Sequence, residues 1–195
     1  MSGVLKLGNI TLGTENNGNI DLTNVGNANI TSINNVKVDN PMFSVYLATN
    51  STTYSDATQT VLPFDTVDID THSGYSLVNN NFTCPTGYAG KYVVGSKIFV
   101  GNTTDTNVRD VYYSVRKNGV LYDSYGIRYG TNDAGIGSGA TMNIIELSEG
   151  DTLDLYVYCN TSDGSAWYFL YSGRVRSTDF PEGLRVNSFF GYRIQ

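Results

Sequence analysis

Residues Thr152-Leu153-Asp154-Leu155-Tyr156-Val157-Tyr158-Cys159 alternate with period two. Leu153, Leu155, Val157 and Cys159 fall on one side of an extended chain, and Asp154, Tyr156 and Tyr158 on the other. The aliphatic side suits a dry core. The tyrosine side suits a second burial, such as the packing of one subunit on another, because a two-sheet sandwich needs only its inner faces dry; tyrosines on a wet surface are the other reading. Outward from this segment, similar runs occur at 43–48, 60–64, 92–100, 111–116, 120–129, 141–147 and 186–194. Turn chemistry separates them: Lys117-Asn118-Gly119 and Glu149-Gly150-Asp151 read as hairpins, and 160–165 as a loop. Eight or more antiparallel strands without a helical period predict an all-β chain, a ten-strand-type antiparallel jelly-roll sandwich.

Composition points the same way. Of 195 residues only 15% are charged, while Gly (21) and Tyr (15) are abundant, a mixture of short strands and many turns. A net charge of −6 without a basic stripe gives phosphate backbones little to hold, so no nucleic-acid partner is expected. No window approaches 18 apolar residues, and the first thirteen lack the pattern of a signal peptide, so no membrane partner is expected either. Two cysteines, Cys84 and Cys159, are too few for a disulfide framework or a structural zinc site; a single bridge between them stays open beside the reading as free thiols.

Residues 1–40 read differently from 41–195. Ile10, Leu12, Ile20, Leu22, Ile30 and Ile33 recur about every ten residues between Asn/Gly turns, an approximate β repeat. Each unit offers three or four strand residues with two apolar positions, too little to be stable alone, so this small β-repeat N-terminal module needs neighbours. It is expected to be an attachment arm or short shaft, with a flexible Asn-rich linker as the other reading. Pro41 marks the boundary, after which strands lengthen and aromatics enter.

Within 41–195, five pieces occur in a definite order: Pro41-Met42-Phe43-Ser44-Val45; Phe82-Thr83-Cys84-Pro85 leading to Gly90-Lys91-Tyr92; Val115-Arg116-Lys117-Asn118-Gly119; Leu147-Ser148-Glu149-Gly150-Asp151; and Ser188-Phe189-Phe190-Gly191-Tyr192. Together they resemble the C1q-like globular-head family, which shares its jelly roll with the tumour-necrosis-factor ligands. The chain departs from that pattern between Pro85 and Gly90, in a long insertion at 163–185, and in having no collagen-like stalk before the domain. The resemblance implies a homotrimer in which one sheet of each protomer lines the axis. Tyr92, Tyr156, Tyr158, Phe189 and Tyr192 are then candidates for the trimer interface or the core.

Sharper chemistry finds less support. His72, the single histidine, sits in the polar stretch Asp70-Thr71-His72-Ser73-Gly74 and reads as a loop residue rather than a catalytic base. Asp65, Asp68 and Asp70 offer hard oxygen ligands and are weak calcium candidates, without the spacing of an EF-hand. Trp167, Tyr168 and Tyr171 in the insertion read either as a recognition loop or as an extra strand. The expectation is therefore a non-enzymatic protein without a cofactor. Its expected role is a trimeric capsid decoration or cement protein, or short fibre, of a bacteriophage virion. In that role the N-terminal module attaches to a major capsid or other virion protein, and the head faces outward toward host-surface glycans. The alternative is an extracellular module binding carbohydrate or protein.

Overall fold

The computed structural model describes residues 4–7, 10–16, 19–21, 40–49, 52–104, 107–129, 135–171 and 185–194. The chain divides into two compact units, Met1–Val38 and Asp39–Gln195. In the first, β1 (Val4–Leu7), β2 (Ile10–Asn16) and β3 (Asn19–Asp21) form a three-stranded antiparallel sheet in the order β1-β2-β3. Leu7 faces Ile10 and Glu15 faces Ile20 in its ladders. β2 is longer than the repeat suggests because it continues through Gly13 to Asn16. Of the repeat positions, Ile10 and Leu12 lie in β2 and Ile20 in β3; Leu22, Ile30 and Ile33 fall outside the described residues.

The second unit holds β4 (Met42–Tyr46), β5 (Thr58–Val61), β6 (Thr66–Asp70), β7 (Tyr75–Ser76), β8 (Asn81–Thr83), β9 (Gly90–Asn102), β10 (Val108–Lys117), β11 (Val120–Arg128), β12 (Ile136–Leu147), β13 (Thr152–Thr161), β14 (Trp167–Phe169) and β15 (Ser188–Arg193). Two antiparallel sheets result. Sheet I runs β11-β10-β13-β8-β7, with β5 also paired to β13; sheet II runs β12-β9-β15-β4-β6, with β14 also paired to β9. Together they make an all-β jelly-roll sandwich. All eight expected strands occur with shifted ends, and β6, β7, β8 and β14 add to them. Strands of two or three residues are too short to show a period, so β7 and β8 could not be read from alternation.

The alternation in β13 decides which of its sides faces in. Leu153, Leu155, Val157 and Cys159 of β13 are buried against Val94, Ile98 and Val100 of β9 and Ile145 and Leu147 of β12. Near the start of β9 the core is aromatic: Phe43 stacks on Phe82 at 4.5 Å, and Phe64 and Phe43 both meet Phe189. Near the end of β9 a second cluster gathers Trp167, Phe169 and Tyr54. Each such ring removed from water contributes roughly 1.5–3 kcal/mol, so these clusters hold the two ends of the sandwich shut.

The hairpins are set by backbone chemistry. Asn118 (φ 53°) and Gly119 (φ 76°) both take the left-handed conformation that a two-residue turn with the twist of its strands requires. Asp151 ties that turn to the next one. Its carboxylate accepts from Asn118 Nδ2 (2.7 Å), Ser148 N–H (2.7 Å) and Lys117 Nζ (2.8 Å).

Candidate functional site

A sandwich has two outer faces, and in this molecule they differ in kind. On sheet II the register aligns Met142, Gly95, Phe190, Ser44 and Ile69 in one row across five strands, and Ile144, Val93, Tyr192 and Met42 in the next. At about 4.8 Å per strand, Met142 and Ile69 stand about 19 Å apart at opposite ends of this face. Met142 is 69% exposed, and Ile144, Ile69, Met42 and Tyr192 are exposed too. Gly95 lies beneath the Phe190 ring, where an added Cβ would come within 2.4 Å of it. Met42, Ser44, Ile69, Phe190 and Tyr192 line an open hollow of about 270 Å³. Beside Ile144, the exposed Tyr122 of β11 donates through Oη to Ile144 O (3.3 Å), and Val120 and Leu121 of the same strand are exposed too. No ion pair joins any two residues of those two rows among the described residues.

Sheet I presents tyrosine and paired charge instead. Tyr112 faces Tyr158, Ser114 faces Tyr156, Asp110 faces Asn160 and Arg116 faces Asp154. Arg116 holds Asp154 through two bonds of 2.7 and 2.9 Å, and its guanidinium lies 4.2 Å over the Tyr156 ring. This bidentate bond keeps the Arg116 guanidinium's pKa above its ordinary value. Asp110 is buried and takes Arg128 Nε at 2.7 Å and Arg109 Nε at 3.2 Å. The Arg128 bond above all holds the Asp110 carboxyl below the usual carboxylate range. Tyr156 Oη donates to Gln59 Oε1 at 2.9 Å.

The residues singled out in the sequence therefore separate. Tyr92 and Phe189 are core, fully enclosed, and Tyr92 Oη donates to Tyr88 O at 2.8 Å. Tyr192 lies on the outer face of sheet II, while Tyr156 and Tyr158 lie on that of sheet I, so the five do not share a surface. Sequence alternation told inside from outside but not one sheet from the other. The aliphatic members of the sheet II face, Met42, Ile69, Met142 and Ile144, were not singled out. Their signal was the second apolar set on strands whose other set fills the core.

Of the two readings of Trp167, Tyr168 and Tyr171, the structure has the extra strand at Trp167 and Tyr168, and the recognition-loop reading is corrected. Trp167 and Tyr168 are buried in strand β14, Tyr171 lies half-buried two residues beyond its end, and Trp167 Nε1 donates to Ser55 O at 2.9 Å. The ring of Trp167 closes the core rather than meeting a ligand. The three calcium candidates also have other work. Asp65 accepts from Ala48 N–H (2.7 Å) and Thr49 N–H (2.9 Å); partial burial opposes its charge, but these donors outweigh it and hold its pKa below the ordinary value. Asp68 pairs with Arg185, and Asp70 accepts from Gly74 and Tyr75 N–H, both at 2.9 Å. Among the described residues no group of three or more His, Cys, Asp and Glu side chains is placed to hold a metal ion.

His72 meets Thr71 Oγ1 through Nδ1 at 2.8 Å and sits edge-on to Tyr88. Cys84 and Cys159 are both buried and unbridged. Burial raises both thiols, Cys159 to about 12, so neither offers a thiolate nucleophile at neutral pH.

No protein-family model matches the sequence, and no curated protein matches it. In three dimensions the chain is similar to the globular domain of the zebrafish complement 1qA protein, with a TM-score of 0.51 and 13% identity, over 80% of this chain and 98% of that one. That likeness is one of fold, and with the strand orders above it shows a chain built on the C1q-type jelly roll.

Proposed function

We propose that the Asp39–Gln195 unit is a non-enzymatic binding module that closes into a homotrimer through the outer face of sheet II. The observation that carries this reading is the two-row apolar face from Met142 and Ile144 at one edge to Met42 and Ile69 at the other. Isolated exposed apolar side chains are ordinary, but a contiguous set across five strands marks an interaction surface. Its two ends differ: the β12 edge with Met142 and Ile144, beside the exposed Tyr122 of β11, and the hollow beside Ile69 and Phe190. An edge that docks in the neighbour's hollow is a head-to-tail contact, and such contacts close into rings when the rotation permits. The number three comes from the resemblance to the C1q-like heads.

The narrower reading places the trimer on a virion, with the Met1–Val38 unit as its attachment element and a capsid or other particle protein as its partner. It rests on the organisation of the chain, a small β unit ahead of a jelly-roll head. The extracellular alternative rests on the same fold. Light scattering on the purified full chain tests the assembly: a mass of three chains at micromolar concentration is expected, and a monomer there overturns it. Co-sedimentation with phage heads, with and without residues 1–38, tests the attachment; equal binding by both forms removes the N-terminal unit from that role.

A further inference from the structure

We infer that the outer face of sheet I is a binding platform for a neutral oligosaccharide, with Tyr112 and Tyr158 as its stacking rings. The inference rests on the trimer reading in one respect: assembly through sheet II leaves sheet I facing outward.

The platform is a register of four strands. Gly126, Tyr112, Tyr158 and Gln59 form its central row, about 14 Å across. Tyr112 is 42% exposed, and Tyr158 lies 5.8 Å from it, centroid to centroid, with the rings tilted by 47°. Gly126 fixes the attitude of Tyr112, since a Cβ there would stand 2.3 Å from the ring. The Tyr112 ring therefore reaches over β11 at Gly126 and stays partly open to solvent. Tilted aromatic planes on a rigid sheet offer the C–H faces of sugar rings apolar contact with little loss of side-chain freedom.

Around the rings stand groups that suit vicinal hydroxyls. Asn160 Nδ2 and the Arg128 guanidinium both bond to Asp110, and Gln59 takes the hydroxyl of Tyr156. Arg128 uses Nε for Asp110 and is 69% exposed, which leaves its terminal nitrogens toward solvent. The charges are paired locally: Arg116 with Asp154, and Arg109 and Arg128 with Asp110. Charges already paired on the protein leave little attraction for an anionic or a cationic ligand. A protein partner fits less well, since the cores of protein interfaces are depleted of charge and built on desolvated apolar anchors. In these rows Val61 and Leu121 are the aliphatic members beside Tyr, Ser, Gly, Asn, Gln and the paired Arg and Asp residues. Hydroxyl-rich ligands replace the water on such groups bond for bond.

The test uses the full chain and six probes: maltohexaose, cellohexaose, xylohexaose, N-acetylchitohexaose, and, as charged comparators, sialyllactose and oligogalacturonate. Calorimetry is expected to show binding of at least one neutral hexasaccharide. Amide NMR shifts on the wild-type chain are expected to cluster at Tyr112, Gly126 and Tyr158. Tyr112→Ala and Tyr158→Ala are each expected to weaken binding at least tenfold at unchanged oligomeric mass, while Met142→Lys, on the other sheet, changes mass and leaves per-chain binding within twofold. Absence of binding by all neutral probes at millimolar concentration overturns the platform. So do tighter binding of a charged probe, and shifts that map elsewhere. Shift mapping also decides the case in which a tyrosine variant fails to fold. A monomeric wild type that still binds at Tyr112 would overturn the trimer and leave the platform standing.

Discussion

Asp151 shows how much one side chain organises in this fold. Bonds from Asn118 first, then Lys117 and Ser148, lower its folded pKa from 3.8 to about 2. A depressed folded pKa contributes stability that is fully present above the unfolded value and lost as pH falls through the folded one. Unfolding free energy is therefore expected to decline between about pH 4 and pH 2, and Asp151→Asn to flatten that decline while costing about 1 kcal/mol at neutral pH once solvent screening is counted. Urea titrations at a series of pH values read both; an unchanged acid slope in the variant refutes the assignment. Gly137 makes a steric prediction. A Cβ there would lie 2.5 Å from Val111 and 3.0 and 3.1 Å from Val108 and Val100, three stiff β-branched side chains in the core. Gly137→Ala is expected to lower stability by about 1–3 kcal/mol, read as a lower urea midpoint.

Among the elements, β14 is the one for which the sequence left two readings open and folding chose between them. Three consecutive aromatic residues, Trp167-Tyr168-Phe169, read along the chain as a contact loop or as an extra strand, because a segment this short has too few residues for a period to decide. Paired to β9 at Val100–Asn102 and bridged to Tyr54, it becomes a plug. Trp167→Ala is expected to cost about 3–5 kcal/mol, because it leaves a large cavity and removes the donor to Ser55 O. A loss under 1 kcal/mol in denaturant unfolding would return this segment to the surface. The Asn118-Gly119 hairpin went the other way: its turn type was legible because only residues that tolerate positive φ fit between Lys117 and Val120.

For the whole molecule, the head-to-tail reading makes a prediction that a symmetric patch does not. Met142→Lys alters the edge of the sheet II face and Ile69→Lys its hollow side, and in a ring each contact needs one of each. Either variant alone is expected to be monomeric in sedimentation velocity. A one-to-one mixture retains one intact contact per pair of unlike chains, so it is expected to show heterodimers and no trimers. Recovery of full trimers in the mixture, or trimers from either variant alone, would rule out the head-to-tail contact.

Alternation by itself determined the fold class, the eight principal strands and the identity of the core face. Those follow from local geometry, since successive side chains of a strand must point to opposite sides and apolar ones must leave water. Turn type was equally local. Which outer face is apolar was decided only by tertiary structure. Tyr156 and Tyr192 have the same outward signature along the chain, yet β13 joins sheet I and β15 joins sheet II, so one meets Arg116 and Gln59 and the other Met42 and Phe190. Strand order depends on pairings between residues far apart in sequence, such as Ser188 with Lys97 and Phe43 with Asp70. No local period encodes such pairings, and both candidate faces of this protein are made of them.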